Sequence, residues 1–125
     1  MSTKTTLEHH LKALAEGDVE AVMNDYGEES VVITPDGPLR GLKEIRKLFT
    51  KIVTDMLPPG SDFAMLRQDV EGEIAYTVWR GSSARFNFLI GTDTFIIREG
   101  KIACKTFAAQ ILPRGAYKTV PPPER

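Results

Sequence analysis

A chain of 125 residues has the length of one domain and can bury an apolar core without needing a disulfide or a metal to hold it. Its 16 Lys and Arg stand against 17 Asp and Glu, a near-neutral balance that offers no basic footprint for nucleic acid and no polybasic patch for anionic lipid. The single Cys104 cannot close an internal disulfide, and residues 1–30 hold neither the apolar stretch of a signal peptide nor a membrane span, so the expectation is a soluble protein of a reducing compartment, most simply the cytoplasm.

Leu7, His10, Leu11 and Leu14 recur at the spacing of one helix face, and Gly17 suits a left-handed C-terminal cap, so a first helix should end near Glu16. Asp18 can cap a second, short helix with Val19, Val22, Met23 and Tyr26 on its stripe, stopped by Gly27. "SVVIT" reads as a short β-branched strand closed by the turn "PDGP". From about Gly41 to Leu57, Leu42, Ile45, Leu48, Phe49, Ile52, Val53 and Met56 keep a helical period, which "PPG" ends. Four strands follow, roughly 62–70, 73–80, 84–99 and 102–112, joined by hairpin-length turns into an antiparallel meander. Helices first and strands afterwards is an α+β order, and the domain should span 3–113 with a proline-rich tail over 114–125.

The third of these strands, "FNFLIGTDTFII", sets Asp93 inside the longest apolar run of the chain. Its bulky residues are even-numbered before Gly91 (Phe86, Phe88, Ile90) and odd-numbered after it (Phe95, Ile97). A bulge or bend at Gly91 reconciles the halves and turns Asp93 toward the helices; the alternative has Thr94 and Ile96 inward and Asp93 outward.

The stretches "ALAEGDVEAVMNDYGEESVVITPDGPLRGLKEIRKLF" and "GTDTFIIREGKI" resemble the NTF2-like superfamily, in particular its SnoaL-like and ketosteroid-isomerase-like branch, over residues 5–112. The resemblance implies a cone: three N-terminal helices packed on a strongly curved antiparallel sheet, a mostly apolar pocket at the open end, and a homodimer through the outer sheet face. It implies a small apolar or partly polar organic ligand and no cofactor. The function implied is general acid/base catalysis of an isomerase, cyclase or dehydratase kind, or ligand binding or dimerisation without catalysis. Ketosteroid isomerase uses a base Asp after its first strand and an oxyanion hole of a helix Tyr and a protonated strand Asp. Asp93 aligns with that strand Asp, whereas His10 stands where the Tyr would be and Thr34 where the base would be.

Asp93 and His10 are therefore the candidate catalytic residues, an acid/base couple if they meet across the cavity. Otherwise Asp93 pairs with Arg80 or Arg85, and His10 is a core histidine. Asp36, beside Thr34, is the nearest carboxylate for a base on that side, or simply a turn former. Tyr26 can offer its hydroxyl to the cavity. Tyr76, Val78 and Arg80 share one face of their strand and are read as pocket lining, with Trp79 looking outward to a partner subunit. Phe95 and Phe107 read as cavity wall or core. His9 lies about 100° around the helix from His10, which argues against a shared metal, and no metal-binding spacing is present.

Overall fold

The computed structural model describes residues 2–114. Helix α1 (Thr3–Glu16) ends where the sequence indicates: Gly17 takes φ 70°, its N–H donates to Leu14, and the Asp18 N–H donates to Ala13. Asp18 then caps α2 (Val19–Met23) by accepting from the Ala21 N–H at 3.0 Å. This helix is shorter than its apolar stripe: Asn24 and Asp25 favour turns, and Tyr26 packs inward from the segment after the helix.

Strand β1 (Val31–Thr34) turns at Pro35 and Asp36 into β2 (Gly37–Arg40), so half of the expected "PDGP" turn is strand. Pro38 is tolerated because β2 is an edge strand. Helix α3 (Gly41–Lys51) widens into a π-helical turn over Ile52–Met56, closed by the Leu57 N–H donating to the Ile52 carbonyl at 2.8 Å. The helical period thus continues to the predicted end, but its last turn is wider. Thr54 donates its hydroxyl to the Thr50 carbonyl there, and Pro58 follows without an N–H to extend the ladder.

Strands β3 (Asp62–Glu71), β4 (Ile74–Ser82), β5 (Phe86–Arg98) and β6 (Lys101–Pro113) form the meander. The six-stranded sheet has the order β2-β1-β6-β5-β4-β3 and is mixed, because β1 runs parallel to β6, with Val32 opposite Lys105. That corrects the all-antiparallel expectation. A parallel neighbour needs a long connection, and the whole chain from α3 to β5 lies between these two strands. Register shifts leave an extra residue at Leu66 in β3, Leu89 in β5 and Ala103 in β6, the places where bulges bend strands.

The core lies between the helices and one sheet face, with Leu7, Val22, Ile45, Phe49, Phe95 and Ile102 fully or almost fully buried. The proline-rich tail lies outside the described residues except Arg114, whose N–H donates to the Arg85 carbonyl at 2.9 Å.

Candidate functional site

Strand β5 holds the phase change read from its sequence, but the bulge is at Leu89, between Phe88 opposite Ile111 and Ile90 opposite Gln110. Phe88 faces in, Leu89 and Ile90 are exposed, and Gly91, Asp93, Phe95 and Ile97 alternate inward. Gly91 serves a different purpose. Trp79 is its partner across the ladder, and a Cβ on residue 91 would lie 2.3 Å from the indole. The missing side chain is what lets the ring lie flat against the strand.

Asp93, 6% exposed, is therefore inside. Its Oδ2 accepts from the Thr77 hydroxyl at 2.9 Å and from Trp79 Nε1 at 2.8 Å, both on the adjoining strand β4. The indole can only donate, so Oδ2 is an acceptor. Oδ1 is buried without a hydrogen-bond partner among the described residues, and Lys105 Nζ lies 3.9 Å from it. Neither Arg80 nor Arg85 pairs with it: Arg80 is exposed on the outer face and Arg85 pairs with Asp55.

Lys105 was not singled out in the sequence. It is 5% exposed and lies on β6 opposite Phe95, its Nζ 5.0 Å from the Phe49 ring and 5.2 Å from the Phe95 ring. Burial lowers its pKa, and the Asp93 charge acts the other way. The signal was available: Lys105 is two residues before Phe107, so alternation puts both on one face of β6.

His10 is fully buried among Tyr26, Phe49 and Phe95, with ring centroids 5.5–5.6 Å away in edge-on arrangements. Neither ring nitrogen has a hydrogen-bond partner among the described residues, so the expected bond to Asp93 is not formed. Burial first, then Lys105 and His9, hold its pKa well below the ordinary value, and the ring is neutral near pH 7. His9, on the same helix, points elsewhere and pairs through Nδ1 with buried Asp25 at 2.8 Å. Burial raises the Asp25 pKa, and the His9 contact opposes that.

A cavity of about 300 Å³ lies between α1, the π-turn, the Pro58–Ser61 loop and the sheet. Leu11, Leu14, Ile52, Trp79, Phe88 and Phe107 are among its walls, and Asp93 is the ionisable residue among the described residues that reaches it. The sequence-derived candidates thus divide. Asp93 and Phe107 line the cavity. Phe95, Tyr26 and His10 form a layer of core behind it, and burial, with Asp93 and Asp25 adding to it, pushes the Tyr26 phenol well above its usual pKa.

Tyr76, Val78 and Arg80 face away from the helices, the reverse of the pocket-lining assignment. The inward set is Ala75, Thr77 and Trp79, because the space opposite Gly91 accommodates the indole. Thr34 and Asp36 stay local: the Thr34 hydroxyl donates to Gly37 O and accepts from the Asp36 N–H, a hairpin-turn role away from the cavity. Among the described residues no group of three His, Cys, Asp or Glu side chains is placed to hold a metal, and no helix is long and apolar enough to cross a membrane.

The family model of the SnoaL-like domain matches residues 7–104. No match is found among the curated proteins. Among solved structures, an NTF2-like protein of unknown function from Mesorhizobium loti is 23% identical with a TM-score of 0.74, over 86% of this chain and 90% of that one. An LEH-like epoxide hydrolase from M. tuberculosis is 15% identical with a TM-score of 0.69, over 86% and 82% of the two chains. A designed protein with a curved β-sheet is 12% identical with a TM-score of 0.72, over 86% and 84%. At these identities the likeness is one of fold. With most of its length matched by the family model, the chain belongs to the SnoaL-like family, and its fold is NTF2-like.

Proposed function

We propose that the protein binds a small, largely apolar molecule in the cavity beneath α1 and acts on it by cofactor-free proton transfer, with Asp93 as the general base. The observation that carries this reading is a carboxylate on a largely apolar cavity wall, held in place by donors from Thr77 and Trp79. A base must be held rigidly and border the substrate: Thr77 and Trp79 fix this carboxylate, and Asp93 is part of the cavity lining, with Oδ1 buried on the Lys105 side. Isomerisation, cyclisation and dehydration next to a carbonyl share that first step, removal of a proton from carbon. Lys105 replaces His10 as the second ionisable member: it faces Asp93 from the side away from the cavity wall and acts as a positioning residue.

The outer sheet face, with Leu66, Ile74, Tyr76 and Ile90 exposed, is proposed as the surface of a cytoplasmic homodimer. Sedimentation of the wild type should give twice the chain mass, and an arginine at Tyr76 should give the monomer.

A second reading is a binding module without catalysis, favoured by the Asp93–Lys105 contact, which by itself accounts for a buried carboxylate as structure. Solvent-deuterium exchange into small cyclic ketones, followed by NMR, separates the two. General-base catalysis predicts exchange with the wild type that falls on the order of 100-fold or more in Asp93→Asn. Equal rates in the two proteins would assign the cavity to binding alone.

A further inference from the structure

Asp93 carries its carboxyl group in surroundings that favour the neutral acid. It is buried, and the cavity wall around it is largely apolar, which disfavours the charged form. The elements packed against it bring mostly neutral groups. From β4 come the Thr77 hydroxyl and the Trp79 indole, both donating to Oδ2. His10 of α1 is neutral near pH 7, and so is the Tyr26 phenol, whose pKa burial and the Asp93 charge push well up. Among the described residues the cation paired with Asp93 is Lys105 of β6, its Nζ 3.9 Å from Oδ1.

Lys105 is held there as a fixed charge. The Phe49 and Phe95 rings lie 5.0 and 5.2 Å from Nζ and favour the ammonium against the burial that opposes it. The gap of 3.9 Å is too long for a hydrogen bond, so at this separation the ammonium acts on Asp93 through its charge and hands it no proton. We propose that Lys105 is the positioning residue that keeps Asp93 ionised, and so able to take up a proton, in a wall that would otherwise leave it a neutral acid. The catalytic consequence rests on Asp93 being the base of the proposed reaction. In that step a C–H bond of the ligand breaks, the proton goes to the carboxylate, and the electron pair stays on the ligand. The buried charge is balanced throughout: carboxylate and ammonium before the step, ligand anion and ammonium after it. Without Lys105 the anion would form in an apolar cavity with no opposite charge nearby.

Carbon-13 NMR of the aspartate carboxyls against pH, without ligand, tests this hold. In Lys105→Met, which keeps the length and loses the charge, the pH at which the Asp93 signal changes should rise by about one to three units over the wild type, and Lys105→Arg should bring it back. Exchange of solvent deuterium into a small cyclic ketone should follow: on the acid side its rate in Lys105→Met falls about tenfold for each unit of that rise, and it recovers at higher pH. A carboxyl signal that titrates alike in the wild type and Lys105→Met, or that moves equally in the Met and Arg variants, overturns the inference. So does an exchange rate reduced by one factor at every pH, the mark of a structural role only. Should the Met variant fold poorly, the wild type alone decides: the Lys105 Cε resonance should shift at the pH where Asp93 takes up its proton, and a Cε blind to that transition overturns the pairing. If the wild type exchanges no ketone, the base reading fails, and the carboxyl titration still decides the role of Lys105.

Discussion

The indole of Trp79 lies against Gly91, its partner across the β4–β5 ladder, and from there Nε1 reaches Asp93 Oδ2 at 2.8 Å. One glycine thereby fixes the position of the ring and, through it, the orientation of the carboxylate. Gly91→Ala should destabilise the fold by about 1–3 kcal/mol, because its Cβ meets ring atoms 2.3 Å away and no low-energy shift of the indole keeps the bond to Asp93. Urea unfolding gives the cost. Trp79 is the chain's single tryptophan, so its fluorescence reports whether the ring has moved.

The Asp93–Lys105 pair makes its own prediction. Removing one member strands a buried charge or forces it to neutralise, so Asp93→Ala or Lys105→Ala should each lose about 3–5 kcal/mol. The combination Asp93→Asn with Lys105→Met should be far less damaging than the sum of its single changes. A double-mutant cycle by chemical denaturation measures that coupling, and strict additivity would mean that the two groups do not interact.

His10 should shape stability in mild acid. Its folded pKa lies well below the ordinary value of 6.5, chiefly through burial, so the unfolded chain takes up a proton there that the folded chain refuses. The stability this gives is complete above about pH 6.5 and is lost as pH falls from there toward the folded value. Asp25, whose pKa is raised, works in the opposite sense closer to its ordinary value of 3.8, where the folded state holds the extra proton. Unfolding between roughly pH 7.5 and 5.5 should show a falling stability that is flatter in His10→Leu. Parallel curves for the two proteins would remove the histidine from the account.

At the β5–β6 turn Glu99 takes φ 51° and Gly100 φ 75°, the paired left-handed residues of a two-residue hairpin. Glutamate is a poor choice for the first position and asparagine a good one. Glu99→Asn should therefore raise stability by ~0.5–1 kcal/mol, as a higher denaturation midpoint with an unchanged slope.

The helices and the meander were legible because local rules decide them. Gly17 and Asp18 end one helix and begin the next within two residues, and the β3–β4 and β5–β6 turns carry Gly72 and Gly100. The phase change in "FNFLIGTDTFII" was legible for the same reason, and it turned Asp93 inward correctly, although the bulge is at Leu89. Less was readable where the outcome depends on pairing between distant segments. Which face of β4 turns inward depends on Trp79 meeting Gly91, a matter of register that alternation along one strand does not contain. Likewise the partner of Asp93 is a lysine twelve residues on in the chain, brought beside it by the β5–β6 hairpin, where Phe107 is directly opposite Asp93 and Lys105 directly opposite Phe95. His10 was placed correctly on the buried stripe of α1, but surrounding rings, not acids, are its neighbours.

The claim on which the rest depends is that Asp93 meets the ligand inside the cavity. Carbon-13 NMR of protein labelled at aspartate side-chain carboxyls, titrated to saturation with a small cyclic ketone, addresses it directly. The account predicts that the Asp93 resonance, assigned by its loss in Asp93→Asn, moves with the binding isotherm, while that of Asp25, paired with His9 and outside the cavity lining, stays in place. Saturable binding that leaves the Asp93 signal unmoved would contradict the account.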